Sequence, residues 1–251
     1  MTRWEQTGKI PGRVMVWTAT QAGAFLDFAE HDRLHPLLHF AGHWGMRRGE
    51  LVGLEWADLG LETRRLHVRQ AQADDELDDT KSEDSDRHIV FDEATATVGR
   101  AWRKAQLEER VAWGEAWEDS RRVFTYEDGR PLRPPYVSQR FDLLIDRYNV
   151  LRQRRAAGWS VEKIARHHRT AEDVVRLALD GPALPPVRFH DLRHGSATML
   201  LAAGVPMKVV SDVLGHASSA FTSDVYAVVA EELAEDAATK ISAFVPRRNR
   251  A

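Results

Sequence analysis

Only one stretch of this 251-residue chain shows the alternation that makes a paired sheet. From Arg64, RRLHVRQAQ alternates apolar and polar residues as a half-buried strand does, and RHIVF, Arg87 to Phe91, reads as its partner. Between them lie eight acidic residues from Asp74 to Asp86 against the single Lys81, which makes this segment a hairpin or sheet edge. Apart from the short extended piece VFTY, the remaining periodic segments have helical spacing. The expected fold is therefore mainly α with a small antiparallel sheet, an α+β arrangement.

Local signals place the helices. Thr18-Ala-Thr-Gln21 has capping-box spacing ahead of Phe25, Leu26 and Phe28, so a helix begins near residue 19. Leu34, Leu37, Leu38 and Phe40 mark a second helix, and Leu51, Val52 and Leu54 a third after GMRRGE. Asp92 can cap a long polar helix running to about Trp117, and EDG followed by PLRPP reads as a turn and another helix start. RFHDLRHGSATMLLAAG, Arg188 to Gly204, is a helix ended by glycine; VPMKVVSDVLG is another, opened by Pro206. Glu231 to Phe244 reads as a last amphipathic helix.

Hydrophobic content of 43% and charged content of 29% describe a soluble globular chain, long enough to bury a substantial core. No apolar run approaches the length of a bilayer span, and MTRWEQTGKI lacks a secretion signal's apolar core. With no cysteine, thiolate and disulfide chemistry are excluded, which fits a cytoplasmic protein. The net charge of −3 hides an uneven distribution: seven Lys/Arg residues against one acid, Glu162, from Arg147 to Arg169. A chain that binds DNA through one surface needs only that surface to be basic.

Taken singly, the polar residues mean little. In order they read Gly45-Met-Arg-Arg-Gly-Glu-Leu51 with Arg47 at a helix start, Thr80-Lys81-Ser82 in the hairpin, and His190-Asp-Leu-Arg193-His194. Leu214-Gly-His216 follows, and then Tyr226. This order and spacing resemble the catalytic domain of the tyrosine recombinases, the phage-integrase family, over roughly residues 15–245.

The resemblance implies the tyrosine-recombinase catalytic-domain fold and a double-stranded DNA substrate, cut and rejoined through a 3′-phosphotyrosine intermediate. Tyr226 would be the nucleophile, with Arg47 and Arg193 stabilising negative charge on the phosphate as planar, permanently cationic donors. His190 would act as base or phosphate partner, Lys81 would protonate the leaving 5′-oxygen, and His216 would donate to a non-bridging oxygen. No metal or other cofactor is required by that chemistry. Glu50 reads as structural, holding a helix or Arg47 in place, Asp191 and His194 as supports of the site, and Arg48 as a surface or DNA-backbone contact. The tyrosines at 126, 136 and 148 lack a matching neighbourhood and read as packing residues.

Residues 151–180 look like an insertion with its own helical pair, and Trp159 to Leu179 resembles a helix-turn-helix. Arg169 stands where a turn glycine is usual and His168 replaces an apolar residue. Arg152, Arg154, Arg155, Lys163, Arg166 and Arg169 are its candidate DNA contacts. The family's N-terminal clamp domain is expected to be absent, with residues 1–18 a lead-in and 19–251 the catalytic domain. The resemblance implies a homo-oligomer on DNA, its last helix with the basic end PRRNR packing on a neighbour or on its own core. Two other functions fit the same residues: nicking and closing alone, or DNA-binding regulation with a relic site.

Overall fold

The computed structural model describes residues 16–69 and 86–215. Lys81 and the acidic connection around it, His216, Tyr226, the expected helix over 231–244 and the basic end PRRNR lie outside the described residues.

Helix α1 (Ala19–Ala29) starts as its sequence dictates. The Thr18 hydroxyl accepts from the Gln21 amide while the Gln21 side chain accepts from the Thr18 amide. Helix α2 (His35–Trp44) carries Pro36 in its first turn and ends at Gly45, which takes the left-handed conformation at φ +59°. The short α3 (Arg48–Gly53) follows two residues later.

The sheet has three antiparallel strands in the order β1 (Leu59–Gly60), β2 (Arg65–Val68) and β3 (Arg87–Val90). Leu66 lies opposite Ile89 and Val68 opposite Arg87, so one face of β2 and β3 is buried. The expected pair is thus present. The two-residue β1 is too short to impose a period on its sequence, and the sequence reading lacks it.

Helix α4 (Glu93–Trp113) is capped by Asp92, whose carboxylate accepts from the Thr95 amide. It stops short of Trp117 because Gly114 turns the chain at φ +54°. Helix α5 (Pro134–Ala156) runs without a break past residue 151, so the expected insertion begins inside a long core helix. Its own pair is α6 (Val161–His168), capped by Ser160, and α7 (Glu172–Asp180). Arg169 adopts φ +49° between them, the left-handed turn in which glycine is usual. Helices α8 (Asp191–Ala202) and α9 (Met207–Leu214) complete the described chain, with Gly204 at φ +81° turning out of α8.

One interior joins α1, α2, the sheet, α4 and α5. Within it Phe141 stands 5.2 Å from Phe25 and 5.6 Å from Phe189, ring centre to ring centre. Ile164, Val175 and Ala178 of the α6–α7 pair are fully buried in that same interior. So is Tyr148, whose hydroxyl donates to the Pro182 carbonyl at 2.8 Å, and Tyr126 packs at a tilt against Tyr136, ring centres 4.9 Å apart. No helix among the described residues is long and apolar enough to cross a membrane.

Helix α8 lies across α2 and receives α9, and α9 in turn reaches β3. Those four elements, with α3, enclose the polar cluster below.

Candidate functional site

Glu50 sits at the centre. Its side chain is wholly buried on α3, and each carboxylate oxygen accepts two hydrogen bonds. Oε1 accepts from Arg47 Nη1 and from Arg87 Nη1, both at 2.9 Å; Oε2 accepts from the Arg47 backbone amide and from Arg87 Nη2, both at 2.8 Å. Burial alone would raise this carboxyl. The hydrogen bonds and charge of Arg87, then those of Arg47, overcome it and hold Glu50 below the usual carboxylate range.

Arg47 immediately precedes α3, with part of its side chain open to solvent and Nη2 donating to the Gly215 carbonyl at 3.1 Å. Arg193 comes from the first turn of α8 and is almost entirely buried. Its Nη1 donates to the Gly45 carbonyl at 2.7 Å, and Nη2 donates to the Leu214 carbonyl. Burial, then the charge of Arg47, pushes its guanidinium down to about 9, still cationic near neutral pH. The two guanidiniums thus meet at consecutive carbonyls where α9 ends, immediately before His216 in the sequence.

Gly45 and Gly215 leave no room for a side chain without a shift of their neighbours. A Cβ on Gly45 would stand 2.4 Å from Leu214 Cδ2, and one on Gly215 2.9 Å from Arg87 Cδ. Both residues also have positive φ, +59° and +65°.

His190 stands at the N-cap position of α8, one residue before its first turn, with no capping hydrogen bond from its side chain; the helix expected from Arg188 includes it. Solvent reaches its side chain, yet partial burial, followed by the nearness of His194 and Arg193, keeps its imidazole below the ordinary value. A neutral ring is able to accept a proton at neutral pH. Asp191, buried beneath it, is gripped by Arg188 through both oxygens at 2.8 and 3.0 Å. His194 lies 4.0 Å from Asp191 and packs edge-on to His190, with ring centres 5.5 Å apart. Asp191 and His194 thus both lie in the first turn of α8, next to His190.

The structure brings Arg47, Glu50, His190, Asp191, Arg193 and His194 to one end of α8 and α9. Arg48 points elsewhere, donating to Ser138 Oγ at 2.8 Å. Arg87 escaped the sequence reading. Its signal was present: in Arg87-His-Ile89-Val-Phe91, alternation puts a charge on the face that buries Ile89 and Phe91.

The cations between Arg152 and Arg169 divide. Arg152 is taken up internally, donating through Nη1 to the carbonyls of Ala178 and Leu179 at 2.7 and 3.0 Å and to that of Gly181. That is the role of a cation at the end of α7, not of a side chain presented to a ligand. Arg154 and Lys163 bracket the Trp159 ring at 5.0 and 4.1 Å while remaining exposed, as are Arg155, Arg166 and Arg169.

Two guanidiniums, Arg47 and Arg87, bond one buried carboxylate, and a third, Arg193, bonds the neighbouring carbonyls, in a mostly helical domain with a small sheet. The model of the phage integrase family matches residues 16–232, and the chain belongs to that family. It is 28% identical over 210 residues to a XerC-like tyrosine recombinase of Caldanaerobacter subterraneus subsp. tengcongensis, covering 77% of this chain and 45% of that one. With an integrase of Streptomyces ambofaciens it shares 27% over 224 residues, 86% of this chain and 50% of the relative. The chain therefore spans about half the length of these curated relatives. The fold is that of the Tn1549 transposon integrase solved with circular intermediate DNA, at a TM-score of 0.63 and 18% identity over 90% of this chain and 66% of that one.

Proposed function

We propose that the chain is the catalytic domain of a site-specific DNA recombinase that cuts and rejoins duplex strands through Tyr226. The observation that carries this reading is the convergence of Arg47 and Arg193 on the carbonyls of Gly215 and Leu214, just ahead of the segment holding His216 and Tyr226.

The Tyr226 oxygen attacks phosphorus in line as its proton passes to His190, which is neutral near pH 7 because its value is lowered. Charge building on the non-bridging oxygens is met by Arg47 and Arg193, and by a hydrogen bond from His216. The bond to the 5′-oxygen breaks, and Lys81 supplies that oxygen's proton. Reversal by another strand's 5′-hydroxyl reseals DNA without ATP, since the phosphotyrosine conserves the bond's energy. One tyrosine cuts one strand, so exchange between two duplexes calls for several copies of the chain acting together. Arg154, Arg155, Lys163, Arg166 and Arg169 add backbone contacts at the α6–α7 pair. The work takes place in the cytoplasm, where the duplex lies.

Covalent capture tests this directly. A pool of nicked duplexes with randomised sequence is incubated with the chain, and adducts that survive detergent are collected and sequenced. Wild type should capture a defined sequence and Tyr226→Phe none, with non-covalent binding of that sequence retained. Adducts in the variant would remove Tyr226 from its role, and a wild type that captures nothing would remove the enzymatic reading.

A further inference from the structure

The Arg47 guanidinium is held at two points, and both lead to Arg87. One is Glu50 Oε1, which Arg87 fixes by forking across the same carboxylate at 2.9 and 2.8 Å. The other is the Gly215 carbonyl, whose place at the end of α9 Arg87 sets in two ways. Its Nε donates to the Val213 carbonyl at 2.7 Å, and its side chain lies so close to Gly215 that a Cβ there would stand 2.9 Å from Cδ. Arg87 itself cannot drift: it is buried, it sits on β3 opposite Val68, and three of its donors have named acceptors on two other elements.

We propose that Arg87 is a positioning residue for strand transfer: it locks Glu50 and the end of α9 in the arrangement that aims Arg47 at the reacting phosphate. This rests on the recombinase reading above.

Neutralising Glu50 does not by itself call for this geometry. Lysine would supply the charge, but as a point donor it cannot fork on a carboxylate and reach a third acceptor on another helix. A buried ion pair is also often replaceable by apolar side chains without loss of stability. What an apolar pair cannot do is hold Arg47 by its guanidinium and its backbone amide at once, as Glu50 does. The pull on Arg47 matters because a guanidinium displaced by about an ångström loses much of its value to a transition state. The placement of Arg87 also ties the hairpin to the site, since Lys81 precedes it by six residues on the connection leading into β3.

The test uses the full chain, the duplex captured by wild type, and two variants. Arg87→Lys keeps the charge and loses the fork; the Glu50→Gln/Arg87→Met double variant removes both buried charges, so that a folded protein without the lock is in hand. Single-turnover adduct formation is measured on the ordinary duplex and on one whose scissile phosphate is an uncharged methylphosphonate. Both variants should bind the duplex within about 3-fold of wild type and cleave it about 30-fold or more slowly. On the methylphosphonate the gap should shrink to within about 3-fold, because the charge served by Arg47 is gone. A general folding defect would slow both substrates equally. Equal slowing, or an Arg87→Lys variant that cleaves like wild type, overturns the proposal.

Sulfate provides an arm that needs no cleavage. Arg87→Lys should weaken the midpoint of sulfate-induced thermal stabilisation about 10-fold at unchanged charge. If wild type forms no adduct, the recombinase reading falls, and the sulfate arm still decides whether Arg87 sets the Arg47 anion site: an unchanged midpoint sinks it.

Discussion

The Arg193 guanidinium donates to the Gly45 carbonyl at 2.7 Å, joining residues 148 apart in sequence at the point where α2 ends. That carbonyl is available because Gly45 turns left-handed. Gly45→Ala would strain the turn and press a methyl against Leu214 and Ser196. A loss of about 1–3 kcal/mol is expected by denaturant unfolding, with adduct formation reduced beyond what the lost folded fraction explains. A variant as active per folded molecule as wild type would show that this carbonyl does not set Arg193.

Arg193→Lys keeps a cation but cannot hold the Gly45 and Leu214 carbonyls while facing a phosphate. Single-turnover cleavage should fall by about 10²–10³-fold with duplex affinity changed by less than about 3-fold. A loss confined to affinity would assign Arg193 to binding alone.

Acid should destabilise the fold through its histidines. Burial, then the charges of His43 and His35, pushes the His39 imidazole down to about 4 from an ordinary 6.5. Between those values the unfolded chain binds a proton that the native chain does not. This contribution is therefore complete above about pH 6.5 and declines as pH falls towards 4. His35, His190 and His194 are lowered too and act with the same sign. Discounted for partial exposure, His39 accounts for on the order of 1–2 kcal/mol. Unfolding free energies of wild type and His39→Gln at pH 7.5 and 5 check this; the variant should lose less, and equal losses would exonerate His39.

The cations of the α6–α7 region should separate by assay. Arg152→Ala removes the donor to three carbonyls and should cost about 1–2 kcal/mol of stability while leaving the salt dependence of DNA binding unchanged. Arg166→Ala should do the reverse, lowering the slope of log affinity against log salt by about 1 with stability unaltered. If Arg166 leaves the slope as it was, Arg166 does not touch the DNA backbone.

What was legible in the sequence is what is encoded within a few residues. Thr18 and Gln21 announce their helix because both halves of the cap lie three positions apart, and Asp92 announces its own by accepting from the Thr95 amide three positions on. Arg47, His190 and Arg193 were legible through the order of their motifs. Arg87 was not, because its meaning comes from a carboxylate 37 residues earlier and a carbonyl 126 residues later. The internal bonds of Arg152 were hidden for a related reason: a run such as RQRR reads identically whether its side chains meet water or the end of a helix 26 residues on.

The shared interior of α6 and α7 bears on how such a chain is inherited in pieces. Segments appended to a surface are gained and lost without consequence for their neighbours. Ile164, Val175 and Ala178 instead fill the same space as Phe28 and Tyr148, and a Cβ on Gly181 would stand 2.3 Å from the Tyr148 hydroxyl and 2.9 Å from Ala24. Exchange of this helix pair between lineages must therefore carry the matching faces of α1 and α5 along with it. The helix pair and the faces of α1 and α5 it fills form one packed unit.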